Sequence, residues 1–273
     1  MPAPLSTAPP QSLAALRYVL TDIDDTLTEE GRLPALALSA MEALSAAGLA
    51  VVPVTGRPAG WCDAIARQWP VAAVVGENGA LWYAEDRAAR RMVRWQAEGE
   101  AERRSGRDRL MDLAEIAITA VPGSALSADQ PFRLFDVAVD FAEDAGPLPL
   151  DAAARIAAVF EAGGAQAKVS SIHVNAWFGA WDKRSGIESL FAARFAPLAS
   201  VIGQVAFVGD SPNDAPLFAA VPFSVGVANI VPHLAGIAAR PAYVTCAPGG
   251  RGFAEFAQAL LASRTKATEE KAA

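Results

Sequence analysis

Tyr18-Val19-Leu20-Thr21-Asp22-Ile23-Asp24-Asp25-Thr26 is the stretch that decides the fold. Its opening apolar run has no polar alternation, the pattern of a parallel strand buried on both faces. The run stops at Thr21-Asp22, on a cluster of carboxylates. Outward from it, Pro34 to Ala47 reads as an Ala/Leu-rich helix with proline in its first turn and Gly48 as its stop. Leu49 to Val54 is a second apolar strand, ending at Thr55-Gly56-Arg57. Pro58 opens a helix to about Trp69, and Val71 to Val75 is a third strand, followed by Gly76-Glu77-Asn78-Gly79. Strand–helix–strand–helix–strand predicts a parallel sheet with helices on both faces.

The pattern then changes. Residues 84–109 are charged and Arg-rich, without strong strand character, and a helix is expected from about Arg107 to Ala120. Phe132 to Phe141 alternates like a half-exposed strand, which places Asp136 and Asp140 toward solvent. Pro149 to Ala162 reads as a helix and Gln166 to Phe178 as one long strand. Alternating strands suit a small sheet with one covered face. The parallel pattern resumes with a helix from Lys183, a strand at Gln204 to Val208 ending in Gly209-Asp210, further strands at Phe223 to Val227 and Ala242 to Thr245, and a last helix at Gly252 to Ala262. The expected fold is α/β: a Rossmann-like parallel-sheet core over 15–84 and 181–265, with an α+β cap inserted at 85–180. Residues 1–14 and 266–273 read as flexible tails.

The 273 residues are 52% hydrophobic and 19% charged, enough for a substantial core, and the net charge is −7. That balance argues against a broad basic face for nucleic acid or an anionic membrane. Two isolated cysteines, Cys62 and Cys246, form no disulfide framework, and two histidines do not make a His-rich zinc site. The N-terminal stretch lacks the basic start of a signal peptide and the length of a membrane span. A reducing, cytoplasmic setting is the expectation.

Three strand ends carry the polar residues: Asp22 to Thr26, Thr55 to Arg57, and Gly209-Asp210-Ser211-Pro212-Asn213-Asp214. In open α/β sheets ligands bind beyond the carboxyl ends of the strands, so these ends address one crevice. Asp22, Asp24, Asp210 and Asp214 would crowd it with like charge. A divalent cation relieves that repulsion, and oxygen donors without His or Cys favour a hard one, Mg²⁺.

These stretches, in this order, resemble the haloacid dehalogenase superfamily of phosphatases: DxDxT at Asp22 to Thr26, a strand-terminal Thr55, Lys183 downstream of the cap, and GDxxND at Gly209 to Asp214. The resemblance implies Asp22 as nucleophile, with an aspartyl-phosphate intermediate, and Asp24 as acid and then base. It implies Thr55 on a phosphoryl oxygen and Lys183 as the charge on phosphate and nucleophile. Mg²⁺ would be held by Asp22, the Asp24 carbonyl and Asp210, with Asn213 and Asp214 ordering the ligands around it.

One helix and one strand fill the interval from Asp22 to Thr55, so the cap must lie between Thr55 and Lys183. A cap there, with an NGA-like turn at Asn78-Gly79-Ala80, resembles the type IIB subgroup, which includes sugar-phosphate phosphatases and Cof-type enzymes. The implied partner is a small phosphorylated metabolite, such as a sugar phosphate; oligomeric state is not legible. Gly56, Arg57 and Asn78 are candidates for substrate contact. Period two places His173, Asn175, Ser171 and Trp177 on one face of the last cap strand, a candidate cleft lining for a polyol. Arg133 is a candidate for a second anionic group. The same motifs would serve a phosphomutase, and a non-catalytic sugar-phosphate-binding module is the third reading.

Overall fold

The computed structural model describes residues 1–272. In chain order its first part is β1 (Ala3–Pro4), α1 (Pro10–Ala15), β2 (Tyr18–Thr21), α2 (Ala35–Ala46), β3 (Ala50–Pro53), α3 (Ala59–Gln68), β4 (Val74–Gly76), β5 (Leu81–Asp86) and β6 (Arg91–Gln96). Then come α4 (Glu100–Ala120), β7 (Ala125–Leu126), β8 (Val137–Asp140), α5 (Leu150–Ala162), β9 (Gln166–Val169) and β10 (His173–Trp177). The chain returns with α6 (Lys183–Arg194), α7 (Leu198–Val201), β11 (Val205–Gly209), α8 (Ala215–Ala220), β12 (Phe223–Gly226), β13 (Tyr243–Val244) and α9 (Gly249–Ala272).

The central sheet is six-stranded and parallel throughout, in the order β1-β13-β12-β11-β2-β3. Period two assigns its side chains to two cores. Val19, Val51, Val208 and Val225 join one apolar cluster, while Leu20, Val52, Val205 and Phe207 join the other. β2 sits between β11 and β3, so Asp22 leaves the sheet beside the ends of both neighbours.

Two expectations about the core change. The expected loose tail at 1–14 is packed: β1 pairs with β13, and Leu5 and Leu13 are buried with Phe253 and Phe256 of α9. Covering an edge strand and these leucines outweighs the composition bias toward disorder. At the other end, the expected tail from 266 is helical through Ala272, and residue 273 lies outside the described residues. The Arg-rich segment after 84 forms a hairpin, β5 with β6, that continues from β4 as an antiparallel sheet. Trp82 stacks on Trp95 across it at 6.5 Å, so the expected start of the cap at 85 falls inside β5. Aromatic cross-strand pairs outweigh the poor β-propensity of the arginines.

The inserted unit is an antiparallel sheet, β7-β8-β10-β9, with α4 and α5 packed on one face through Val137, Val139, Val174, Ala176, Ile156 and Phe160. The long strand expected at Gln166 to Phe178 is two strands, β9 and β10, turning at residues 170–172. The expected strand from Phe132 is confined to β8, because residues 130–132 form a 3₁₀ turn. The sheet's second face looks onto the core rather than solvent, so Asp136 and Asp140, expected outside, are each 1% exposed.

Glu77 ties the two units. Its fully buried carboxylate accepts the N–H groups of Ala59 (2.9 Å) in the core and of Leu134 (2.8 Å), Phe135 (2.5 Å) and Asp136 (3.2 Å) before β8. Burial, then the Asp136 charge, pushes Glu77 up to about 7, against those N–H groups and Arg133. Glu77→Ala leaves four buried donors without an acceptor. Unfolding in urea should show a loss of about 3 kcal/mol or more; a change below about 1 kcal/mol would mean that Glu77 is not the tie described.

Candidate active site

Asp22 is fixed by its own backbone, its N–H donating to the Val208 carbonyl at 2.9 Å. Lys183 comes to it from the first turn of α6. Asp182 caps that helix, accepting from Ser185 N–H (2.8 Å), while the Ser185 hydroxyl accepts from Asp182 N–H (2.9 Å). The helix start lies against the turn at residues 77–79. Gly79 has φ +103°, and a Cβ there would fall 1.9 Å from the Asp182 carbonyl oxygen. Only glycine lets α6 approach this closely and deliver Lys183.

Lys183 Nζ lies 3.0 Å from Asp22 Oδ1 and 3.1 Å from Asp214 Oδ1, with all three side chains buried. Asp214 Oδ2 folds the loop after β11 by accepting the N–H groups of Asp210 (3.0 Å) and Ser211 (3.3 Å). Asp210 accepts from the Thr26 hydroxyl at 3.0 Å and from Asn229 at 3.4 Å. Asp22, Asp210 and Asp214 each place a carboxylate oxygen within 4.8 Å of the others.

One ammonium serves these carboxylates. Burial alone would lower Lys183; Asp214 and Asp22 overcome it and hold its ammonium above the ordinary lysine value. Burial pushes Asp22 up to about 7, with Lys183 opposing and Asp214 and Asp24 adding to the rise. Asp210 is driven well above the carboxylate range by burial, then by Asp214 and Asp22. The all-oxygen donor set therefore carries negative charge that its own lysine does not neutralise, and it fits a hard divalent cation.

The Asp24 carboxylate stands apart from that cluster, held by Arg57 Nη2 (2.8 Å) and Nε (3.0 Å). Arg57, a candidate for substrate contact, is buried and also reaches Glu143 of the inserted unit at 2.9 Å. Thr55 is fully buried beneath Gly56, its hydroxyl accepting Arg57 N–H at 3.0 Å, and it does not line the cavity. Asn78, at φ +55°, lines the cavity with its Nδ2 unpartnered. His173 and Asn175 line the opposite wall, with the register expected of β10; Trp177, on the same face, packs into the core. Asn213 is at the rim, accepting from the Ser211 hydroxyl at 2.7 Å. Arg133, expected to bind a substrate anion, is 1% exposed and already paired with Asp129 and Asp136.

The sequence reading missed Glu77 and Glu143. Glu143 follows the end of β8, on a loop whose N–H groups the Asp140 carboxylate gathers, including that of Glu143 at 2.8 Å. A carboxylate run just past a strand was the signal available.

The enclosed cavity measures about 20 Å³, room for about one water. A cleft of about 990 Å³ adjoins it, sharing Asp210, Ser211, Ser170 and Ser171.

Residues 19–94 match the family model described as haloacid dehalogenase-like hydrolase. Among solved structures the chain is similar to a protein of Thermoplasma acidophilum (TM-score 0.68, 15% identity, 90% of this chain and 98% of that one). It is similar to the sucrose-phosphatase of Synechocystis sp. PCC6803, solved with sucrose and phosphate (TM-score 0.60, 16% identity, 89% and 97%). A sugar phosphatase of haloacid dehalogenase subclass IIB aligns with TM-score 0.59 and 13% identity over 92% and 99%. No curated protein matches the sequence. At these identities the likeness is one of fold: the parallel core and the inserted unit are shared with those structures along nearly their whole length.

Metal binding competes with protons at this cluster. The folded state keeps a proton on Asp22 up to about pH 7, whereas the ordinary value is 3.8, so this group's contribution to stability falls as pH rises across that window. A divalent cation removes the penalty. Saturating Mg²⁺ should raise the melting temperature more at pH 8 than at pH 5, by several degrees at about 2–4 °C per kcal/mol. Equal shifts at both pH values would show that the cation binds elsewhere.

Proposed function

We propose that this chain, on a haloacid dehalogenase-like hydrolase fold, is a Mg²⁺-dependent phosphatase that hydrolyses a small phosphomonoester, a sugar phosphate, through an aspartyl-phosphate on Asp22. The observation that carries the reading is the buried Lys183 ammonium shared by Asp22 and Asp214, beside Asp210. A structural ion pair needs one carboxylate, and this arrangement buries three around one ammonium.

Asp22 attacks phosphorus with the oxygen that Lys183 leaves free. The Asp22 and Asp210 carboxylates and the Asp24 carbonyl would hold Mg²⁺, which when bound supplies charge neutralisation for the phosphoryl oxygens. Lys183 keeps Asp22 in place and faces the same oxygens. Asn78 Nδ2, a buried donor without a partner, is available to the phosphoryl group, and Thr55 supports the backbone of that wall. Asp24 gives a proton to the departing oxygen and later takes one from the water that opens the aspartyl-phosphate. Its carboxylate is held by Arg57, and the entering leaving group must loosen that pair to reach it.

The similarity to a sucrose-phosphatase and a IIB sugar phosphatase supports a sugar phosphate as substrate. The unit over the site, and a cavity too small for any sugar while closed, support a reaction shielded from bulk water.

Phosphate release from a panel of sugar phosphates and p-nitrophenyl phosphate tests the reading. Asp22→Asn should cut turnover at least about a thousandfold while leaving the fold intact. A variant within tenfold of the parent would remove Asp22 as nucleophile, and isomerised sugar phosphate in place of free phosphate would make the chain a mutase.

A further inference from the structure

The wall that Asp24 shares with the inserted unit contains two arginines, and neither is free. Arg57 gives Nε (3.0 Å) and Nη2 (2.8 Å) to Asp24, and Nη2 (2.9 Å) and Nη1 (3.3 Å) to Glu143; Nη1 is also 3.7 Å from Asp129. Arg133 gives Nε (2.8 Å) and Nη2 (2.9 Å) to Asp129, and Nη1 to Asp136 (3.0 Å) and to the Gly56 carbonyl (2.9 Å). Every guanidinium nitrogen has a partner. Lys168, the other cation on this wall, is exposed on β9, where water screens it. A second anionic group on a substrate would meet Asp24 in the cavity wall, with the Glu143 carboxylate bonded to Arg57 and His173 of the same wall, and no unpaired buried cation. Like charges in contact at a binding surface are disfavoured by several kcal/mol.

What the wall leaves open is neutral hydrogen bonding. Glu143 bridges Arg57 to His173 Nε2 (2.9 Å), and its side chain is still 29% exposed, with lone pairs to spare. Asn175 spends its amide N–H on Asp136 (2.9 Å) and keeps its carbonyl oxygen. Asn78 Nδ2 has no partner. The two amides converge over Gly56, where a Cβ would stand 3.2 Å from Asn78 Nδ2 and 3.6 Å from Asn175 Oδ1. With Asn78 Nδ2 facing the phosphoryl group, the free acceptors of Asn175 and Glu143 beside it complement hydroxyl groups, which can donate to them.

We propose that this wall selects an uncharged, hydroxyl-rich leaving group and rejects a phosphomonoester bearing a second anion, with Glu143 as the specificity-determining residue. The proposal rests on the phosphatase reading above and adds the class of alcohol. Glu143 discriminates twice: its carboxylate repels an incoming anion, and it occupies the Arg57 face that such an anion would need.

Sorbitol 6-phosphate and 6-phosphogluconate are a matched pair, both open six-carbon chains, differing by a terminal hydroxymethyl against a carboxylate. Calorimetric titration of each into Asp22→Asn protein with Mg²⁺ measures binding without turnover. Sorbitol 6-phosphate should bind at least about tenfold more tightly. Adding Glu143→Gln should bring the pair within about threefold, chiefly by strengthening 6-phosphogluconate. Equal or tighter binding of 6-phosphogluconate to the Asp22→Asn protein, a ratio that Glu143→Gln leaves unchanged, or no binding of either compound would overturn the proposal. If the unmodified chain releases no phosphate from any panel compound, the phosphatase reading fails separately, and the order of the two dissociation constants still decides the subsite.

Discussion

Three buried carboxylates and one buried ammonium, withdrawn together from bulk solvent, are the constraint from which the rest follows. Taking charges out of water costs several kcal/mol each, and mutual attraction repays it only when geometry and hydrogen bonding are good. Here the geometry comes from the sheet. Asp22 extends β2, Asp210 and Asp214 follow β11, and the two strands are neighbours, so parallel pairing alone brings the carboxylates to one edge. Lys183 has to arrive from another element, and the contact between α6 and the turn at Gly79 provides it. What remains uncompensated is the raised affinity of Asp22 and Asp210 for protons, which is also the condition for binding a divalent cation.

The same physics, with arginine in place of lysine, joins the inserted unit to the core. Arg57 links Asp24 to Glu143, Arg133 links Asp129 and Asp136 to the Gly56 carbonyl, and Glu77 accepts N–H groups from both units. Phe135 adds an apolar pin, packing edge-on against Trp181 at 5.7 Å. A rigid swing about the two linkers would break all of these together. The turn at residues 170–172 lies between the cavity and the open cleft, and the Ile172 carbonyl ties it to the loop after β8 by accepting from Phe141 and Ala142.

The parallel strands and their acidic ends were legible because the information is local: an apolar run, its length, and the residue types where it stops. The face of β10 that carries His173 and Asn175 was legible for the same reason, since period two needs no knowledge of what lies opposite. What lies opposite was the part out of reach. Asp136 and Asp140 read as solvent-facing because alternation in an isolated sheet normally means one wet face, and that face is covered by the core. Arg133 read as a free cation because its partners are a short turn away and across the domain junction. Residues 1–14 read as a tail by composition, yet Leu5 and Leu13 have places beneath α9, on elements more than 200 residues downstream.

The misread charged residues share a setting. Arg133, Asp136 and Asp140 lie at the junction of core and inserted unit, where charged side chains are buried in saturated networks. Such networks are weak sources of net stability, because desolvation consumes most of the attraction, but removing one member leaves an uncompensated charge and is strongly destabilising. A junction built this way tolerates few arrangements. It fixes the register of the β10 wall over the strand ends to within hydrogen-bond distances, which an apolar interface of equal area would leave freer to slide. It also settles the electrostatics of the cavity before any ligand enters: each buried arginine is already committed to carboxylates, His173 is bonded to Glu143, and the groups left open are the amides of Asn78 and Asn175 and the partly exposed edge of Glu143.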